Sequence, residues 1–465
     1  MASYIKNLSF VLAAQFVIMA FGLLSKPIVA RLLGPSEYGL FALVLATASI
    51  VPAIAVFSLN QAVLYFTAKN ERKSRSILYS ALGLVFALSL LFFPIFYLAV
   101  TYLVPSIGFY GMLVSYLIGF GTSILLVAQA HFQGLEKFKD YALITAATSV
   151  FSAVFSLAVA YFFRGFVETS AARMIPLLIV PFGALYLAKS LGFSLKEAKS
   201  LLKYALPIGL SGLLGVFIAI ADRYIIAIFK TPADVGFYDV AYSFTAAVLP
   251  ITATLATTIA PRFVKQSTKT KEYLEKVSSV TAAIGACGAI VLFYYADFFV
   301  SILLGASYVE GATTPLRIVA LALPLMALVS VYGTIVASLG SSKFAGLISV
   351  LLVALSIAFN LLLVPQFSAI GAAYANLFTY ALTVFAIMGF FFLKNKFIPK
   401  SALFTYLVLA LFAATYWLLG ITGFIEKTLI VALFTAIVLY LNLWAVRIIW
   451  DKIMDLITVS MPWKK

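Results

Sequence analysis

The chain has 465 residues, of which 64% are hydrophobic and 10% are charged, and its formal net charge is +16. A soluble protein carries about 25% charged residues, so this composition excludes a soluble globular chain. A single Cys and a single His also exclude a disulfide framework, a thiolate zinc site and a clustered metal site. We therefore predict no metal and no cofactor.

Apolar runs long enough to cross a bilayer as a helix, about 20 residues each, recur along the whole chain. We predict an all-α polytopic membrane protein with fourteen transmembrane helices. The predicted spans are 7–33, 38–66, 76–104, 109–130, 140–163, 169–189, 200–229, 236–262, 277–304, 315–338, 344–364, 369–393, 401–420 and 427–447.

The segments between these spans fix the predicted orientation. With the N-terminus inside, most of the 32 Lys and Arg residues fall on the inner side, beginning with Lys6, Lys69, Arg72, Lys73 and Arg75. Inner loops of membrane proteins carry this excess of positive charge, so we predict that both termini are cytoplasmic. The loops are too short for the folded basic face that nucleic-acid binding needs, and we predict no nucleic-acid partner.

An internal repeat links the end of the first span to the end of the seventh. From Ser25 the chain reads SKPIVARLLGPSEYGLF, and from Asp222 it reads DRYIIAIFKTPADVGFY. The strings align without gaps at an offset of 197 (223 − 26), which superposes Lys26 on Arg223 and Gly39 on Gly236.

Six helices separate the two strings, so both halves have the same orientation in the membrane. We predict two pseudo-symmetric six-helix lobes, residues 1–199 and 200–400. Helices 13 and 14 with a cytoplasmic tail, residues 401–465, lie outside the repeat.

Lys26 and Arg223 are cations inside long apolar spans. Lys26 lies eight residues before Gly34 at the outer end of its helix, which is about 12 Å at about 1.5 Å per residue. A charge at such depth is costly and normally faces a protein interior or a water-filled cavity. One cation in each repeat therefore predicts a positively charged cavity and the transport of an anionic substrate. The structural alternative is that these side chains snorkel outward or pair with a carboxylate such as Asp222.

Three further polar residues are candidates for this cavity, and each has a structural alternative. Gln15 shares a helix face with Lys26 but suits a contact between helices equally well. Arg31 lies near the outer end of its helix, where snorkelling is the simpler role. Asp222 either neutralises a neighbouring cation, Lys26 or Arg223, or belongs to a coupling-ion site.

Two charged residues near predicted outer helix ends receive simpler interpretations. Arg173 begins the sixth predicted span, and we predict an interfacial anchor there. Asp239 lies near the outer end of the eighth span, and we predict that it is solvated.

Several strings resemble those of a known family. ARLLGPSEYGLF, the stretch ADRYIIAIF followed by VGFYDVAYSF, and NLLLVPQFSAIGAAYANL from Asn360 are similar to the polysaccharide-biosynthesis flippases of the multidrug/oligosaccharidyl-lipid/polysaccharide exporter superfamily. The resemblance extends to lipid II flippases and covers essentially the whole chain. It implies two six-helix lobes around a central cavity that opens alternately to each side. It also implies that Lys26 and Arg223 bind a substrate phosphate.

We therefore predict a non-enzymatic flippase of the cytoplasmic membrane, with no catalytic residues. Its substrate is a polyprenyl-(pyro)phosphate-linked oligosaccharide, and a proton or Na⁺ gradient is a possible energy source. Membrane lipids are its other partners, and one monomer suffices to form the cavity. The alternatives are a cation-coupled multidrug exporter of the same fold, an integral-membrane glycosyltransferase and a non-catalytic scaffold.

Overall fold

The structure is a computed structural model, and it describes residues 2–186, 192–250, 252, 270–338, 342–419 and 424–442. Within these ranges the chain is helical, with no strand. The helices are α1 Ala2–Ala48, α2 Ile50–Ala55, α3 Leu59–Lys69, α4 Ser74–Leu103, α5 Gly108–Gly134, α6 Phe138–Phe163, α7 Phe166–Tyr186, α8 Leu195–Phe229, α9 Pro232–Ala246, α10 Thr270–Tyr294, α11 Ala296–Leu303, α12 Ala306–Ser338, α13 Ser342–Asn395, α14 Lys400–Leu419 and α15 Phe424–Leu441.

Two of the long helices contain a break where the sequence predicts the boundary between spans. Helix α1 has non-helical backbone at Gly34, with φ 77° and ψ 169°. Positive φ is favourable for Gly because it has no Cβ, so the short turn between the first two spans falls at this residue. Helix α13 breaks in the same way at Ser368, with φ 55° and ψ −133°.

The prediction of an all-α multi-pass membrane protein is confirmed. Among the described residues, eight helices are long and apolar enough to cross a membrane. The exact number of fourteen spans stays a prediction.

The chain forms two compact units. The first contains Met1–Val240 and Leu303–Tyr308, and the second contains Ala241–Ile302 and Val309–Lys465. The division into lobes at 199 and 400 stays a prediction.

In the first unit, α1 packs against α5, α6, α7 and α8, and α8 also packs against α3 and α4. The same unit contains the residues of α1, α8 and α9 that form the candidate site. In the second unit, α10 packs against α14 and α15. Its core is aromatic: Phe293 stands edge-on to Phe412, which in turn stands edge-on to Phe434. The two C-terminal helices are therefore part of a packed core.

Candidate functional site

Lys26 and Arg223 meet at one carboxylate, Asp239. The Nζ atom of Lys26 lies 3.0 Å from Oδ2 of Asp239, and Nε of Arg223 lies 2.6 Å from Oδ1. The Asp239 side chain is 5% exposed, whereas that of Lys26 is 37% exposed. The prediction that Asp239 is solvated was wrong, because the two cations hold it in the interior.

The hairpin of α8 and α9 explains how Arg223 reaches Asp239. The chain turns at Thr231, and Arg223 lies eight residues before it while Asp239 lies eight residues after it. Residues at equal distances from the turn of an antiparallel helix pair lie at the same height. A second hydrogen bond joins the same two helices: the Tyr238 hydroxyl donates to Asp222, which lies nine residues before Thr231, while Tyr238 lies seven residues after it.

The two repeats differ at the position of this carboxylate. The repeat offset places Ala42 (239 − 197) where the second hairpin has Asp239. The first hairpin, formed by the two parts of α1 on either side of Gly34, therefore supplies a cation, Lys26, without a carboxylate at the position equivalent to Asp239. Asp239 forms an ion pair with the cation of each repeat, so a single carboxylate links the two hairpins electrostatically.

Tyr38 completes the environment of Asp239. Its hydroxyl donates to Oδ2 of Asp239 at 2.8 Å, and its side chain is fully buried. Arg223 also donates from Nη1 to the carbonyl oxygen of Ala219 at 2.6 Å. Buried charges are tolerated when they are paired and hydrogen-bonded, and charge-assisted hydrogen bonds of this kind are the stronger class. The cluster is thus a satisfied polar network inside an apolar bundle.

We expect Tyr38→Phe to lower the free energy of unfolding by about 1.5–3 kcal/mol, because a buried carboxylate loses a donor while the ring remains. Thermal unfolding of the purified protein in detergent measures this loss. Tyr308→Phe is the matched control, because the Tyr308 hydroxyl donates to a neutral group, the carbonyl oxygen of Ala30, at 2.8 Å. A larger loss for Tyr308→Phe than for Tyr38→Phe would contradict the role assigned to Tyr38.

A second contact between the repeats is made by backbone. Gly39 and Gly236 are superposed by the repeat, as are Pro35 and Pro232. A Cβ atom added to Gly39 would overlap the carbonyl oxygen of Pro232, and one added to Gly236 would overlap that of Pro35. Each hairpin therefore places its Gly against the Pro of the other, in a reciprocal contact that only glycine permits.

The other predicted cavity residues do not join the cluster in the same way. Asp222 is buried and accepts a hydrogen bond from Tyr238. Gln15, toward the start of α1, is exposed, and Arg31 is also exposed. A Cβ atom at Gly305 would lie 3.8 Å from Nε of Arg31, so that side chain runs along the segment before α12. The roles predicted for these three residues stay predictions.

Arg173 does not occupy the start of a helix. Helix α7 begins at Phe166, so Arg173 lies two turns inside it, about 10 Å along the axis. Its half-buried side chain lines a partly open cavity together with Ser25 and Ser152. Helix α7 begins three residues before the predicted span, and the interfacial anchoring of Arg173 stays a prediction.

Comparisons with known proteins agree with this architecture. The family described as Polysaccharide biosynthesis protein matches residues 4–267. The probable low-salt glycan biosynthesis flippase Agl15 of Haloferax volcanii is 28% identical over 193 residues, and the match covers 40% of this chain and 41% of that protein.

Two solved structures share the fold. The lipid II flippase MurJ, in an inward closed conformation, superposes with a TM-score of 0.73 at 14% identity, over 92% of this chain and 97% of that one. An inward-facing multidrug resistance MATE family transporter of the MOP superfamily superposes with a TM-score of 0.60 at 14% identity, over 79% of this chain and 93% of that one. The match to the family covers more than half of the sequence and includes Lys26, Arg223 and Asp239, so the chain belongs to the polysaccharide biosynthesis protein family.

Proposed function

We propose that this protein is a flippase that moves a polyprenyl-(pyro)phosphate-linked oligosaccharide across the cytoplasmic membrane, with both termini in the cytoplasm. The observation that carries the proposal is the meeting of Lys26 and Arg223, one cation from each repeat, at a single carboxylate. The family membership supports a glycan as the cargo, and the similarity to Agl15 and MurJ supports a lipid-linked form.

In this proposal Asp239 is the anionic partner of Lys26 and Arg223 when no substrate is bound. A carboxylate and a phosphate present similar oxygens to a cation, and a guanidinium binds either of them through parallel hydrogen bonds. When the headgroup arrives, its phosphate replaces Asp239 as the partner of Lys26 and Arg223. Release is the reverse exchange, so the carboxylate limits how tightly the phosphate is held and keeps the substrate from being trapped.

Transport in this proposal follows alternating access. Lys26 and Arg223 belong to different repeats, and repeats of transporter folds move against each other around the substrate site. The reciprocal contact of Gly39 and Gly236 joins the two hairpins at the predicted outer side, so it must open before the headgroup leaves. The protein acts as a monomer in membrane lipids without covalent chemistry, and a proton or Na⁺ gradient drives the exchange.

A multidrug exporter is the competing function, because the fold is shared with a MATE family transporter. Such a protein binds cationic compounds. Here the buried carboxylate Asp239 is already paired with Lys26 and Arg223, so a cationic compound would meet an excess of positive charge. This charge balance favours the anionic lipid-linked substrate.

Reconstitution into proteoliposomes tests the proposal. Three arms measure the translocation of a lipid-linked glycan, the export of a cationic dye and the transfer of sugar from a lipid-linked donor. We expect translocation of the glycan, accelerated by a proton or Na⁺ gradient, with no dye export and no sugar transfer. Dye export without glycan translocation would establish the multidrug function instead, and sugar transfer would establish a glycosyltransferase.

A further inference from the structure

The described lining of the cavity that contains Arg173 includes no member of the Asp239 network. The cavity lies within the first unit, among α1, α5, α6 and α7, and its volume is about 170 Å³. A cavity needs only about 10–15 Å³ to hold one water, so this space admits a polyatomic ion. Gly22, Ser25, Ser149, Ser152 and Arg173 are among the residues that line it.

Arg173 has no counter-charge among the residues that the structure describes. No carboxylate there lies within ion-pair distance of its guanidinium. Its electrostatic neighbours are another cation, Lys26, and the hydroxyl of Tyr38, and neither is a carboxylate. An isolated charge in the apolar interior of a bundle is costly unless it is paired. This guanidinium, open to a cavity, therefore attracts an anion.

Two hydroxyl groups of the cavity are also available as donors. Within the described part of the chain, neither Ser25 nor Ser149 has a hydrogen-bond partner, and Ser25 is buried. Ser152 differs, because its hydroxyl donates to the carbonyl oxygen of Arg173 at 3.2 Å. The cavity wall thus combines one guanidinium with two unused O–H donors, a set that suits an anion with several oxygen acceptors.

From this donor set we propose that the Arg173 cavity is a binding site for a phosphate-type oxyanion. The guanidinium of Arg173 binds two oxygens in parallel, which is the geometry that planar Arg offers to phosphate. Ser25 and Ser149 donate to the remaining oxygens. The ion comes either from free inorganic phosphate or from the phosphate of a polyprenyl lipid. The second source rests on the proposed function, and the first does not.

Gly22 provides a way to close the cavity without touching any donor. A Cβ atom added to Gly22 meets no atom within 4 Å, so a larger side chain enters open space. Gly22→Leu therefore fills part of the cavity and leaves Arg173, Ser25 and Ser149 in place. It complements Arg173→Leu, which removes the charge and leaves the cavity.

The test measures binding of radiolabelled inorganic phosphate and of a polyprenyl monophosphate without glycan to the purified full-length chain in nanodiscs. We expect Arg173→Leu and Gly22→Leu each to weaken phosphate binding by about 10-fold or more, and Arg173→Lys to weaken it less, because the charge remains. The matched control is Lys139→Leu, which removes one positive charge from an exposed position on α6 and leaves binding unchanged.

The two ligands distinguish the sources of the ion. Arg173-dependent binding of inorganic phosphate assigns the site to the free ion, and Arg173-dependent binding of the polyprenyl monophosphate alone assigns it to the lipid headgroup. Binding of both ligands that is equal in wild type, Arg173→Leu and Gly22→Leu overturns the proposal, as does an equal loss in Lys139→Leu. If Arg173→Leu fails to fold, phosphate binding by Gly22→Leu tests the proposal instead, provided that this variant has a native melting temperature. No arm measures transport, so failure here leaves the flippase assignment standing.

Discussion

We expect Arg223→Ala to reduce translocation of the lipid-linked glycan by about 100-fold or more, the factor that a loss of about 3 kcal/mol in the rate-limiting step produces. Arg223 is the better-buried of the two cations, with 12% of its side chain exposed, and it is the cation able to hold a phosphate through two parallel hydrogen bonds. The measurement is the initial rate of glycan translocation in proteoliposomes.

The same substitution also removes the guanidinium that neutralises Asp239. Removal of one partner from a buried ion pair costs about 3–5 kcal/mol of stability, so the melting temperature must be measured beside the rate. Arg223→Lys separates the two effects, because it keeps a positive charge for Asp239 and loses the planar fork. We expect near-native stability and intermediate translocation for Arg223→Lys.

Lys203→Ala is the matched control for Arg223→Ala, since Lys203 is an exposed cation on the same helix, α8. It changes the net charge by the same amount, and we expect no effect on rate or stability. Wild-type translocation by Arg223→Ala would remove Arg223 from the substrate site.

The second large effect is expected at the reciprocal glycine contact. We expect Gly39→Ala and Gly236→Ala each to lower the melting temperature and to reduce glycan translocation by about 10-fold or more, because each new Cβ overlaps a carbonyl oxygen of the other hairpin. Backbone atoms on both sides leave no flexible side chain to move. The two hairpins must then separate, which also stretches the ion pairs of Asp239.

The direction of the change in melting temperature distinguishes the effect of the reciprocal contact from that of helix propensity. Ala favours a helix over Gly by about 1 kcal/mol, so a glycine without neighbours gains stability on the same change. Gly215→Ala in α8 is the matched control, because a Cβ there meets no atom within 4 Å. We expect a slightly higher melting temperature for Gly215→Ala. A rise of the same size for Gly39→Ala would show that the reciprocal contact does not exist in the membrane.

The repeat was the most informative feature of the sequence. Its offset of 197 paired Lys26 with Arg223 and Gly39 with Gly236, and the structure brings the members of both pairs to shared contacts. The helix break at Gly34 was also predictable, because a short polar and glycine-containing string separates two apolar runs there. The break at Gly34 is a local feature that hydropathy reveals. The paired residues recur at a fixed offset, which alignment of the chain with itself reveals.

The sequence prediction for Asp239 was wrong because nearness to a predicted helix end does not determine whether a carboxylate is solvated. The register of the α8–α9 hairpin contains the missing information, since Arg223 and Asp239 lie at equal distances from the turn at Thr231. Arg173 offered no comparable signal. Its cavity requires the packing of four helices, and residues as distant as Ser25 and Ser149 meet there, which no spacing along one helix indicates.

The affinity of the Asp239→Asn variant for the lipid-linked glycan tests the central claim most directly. Asn has the same shape but no charge, so Lys26 and Arg223 lose their resident counter-charge and no carboxylate competes with the substrate phosphate. In nanodiscs, with native elution and melting behaviour as the control for folding, we predict binding at least about 10-fold tighter than wild type, or about 1.4 kcal/mol, together with slower release. Unchanged or weaker binding by Asp239→Asn would contradict the assignment of Lys26 and Arg223 to the phosphate.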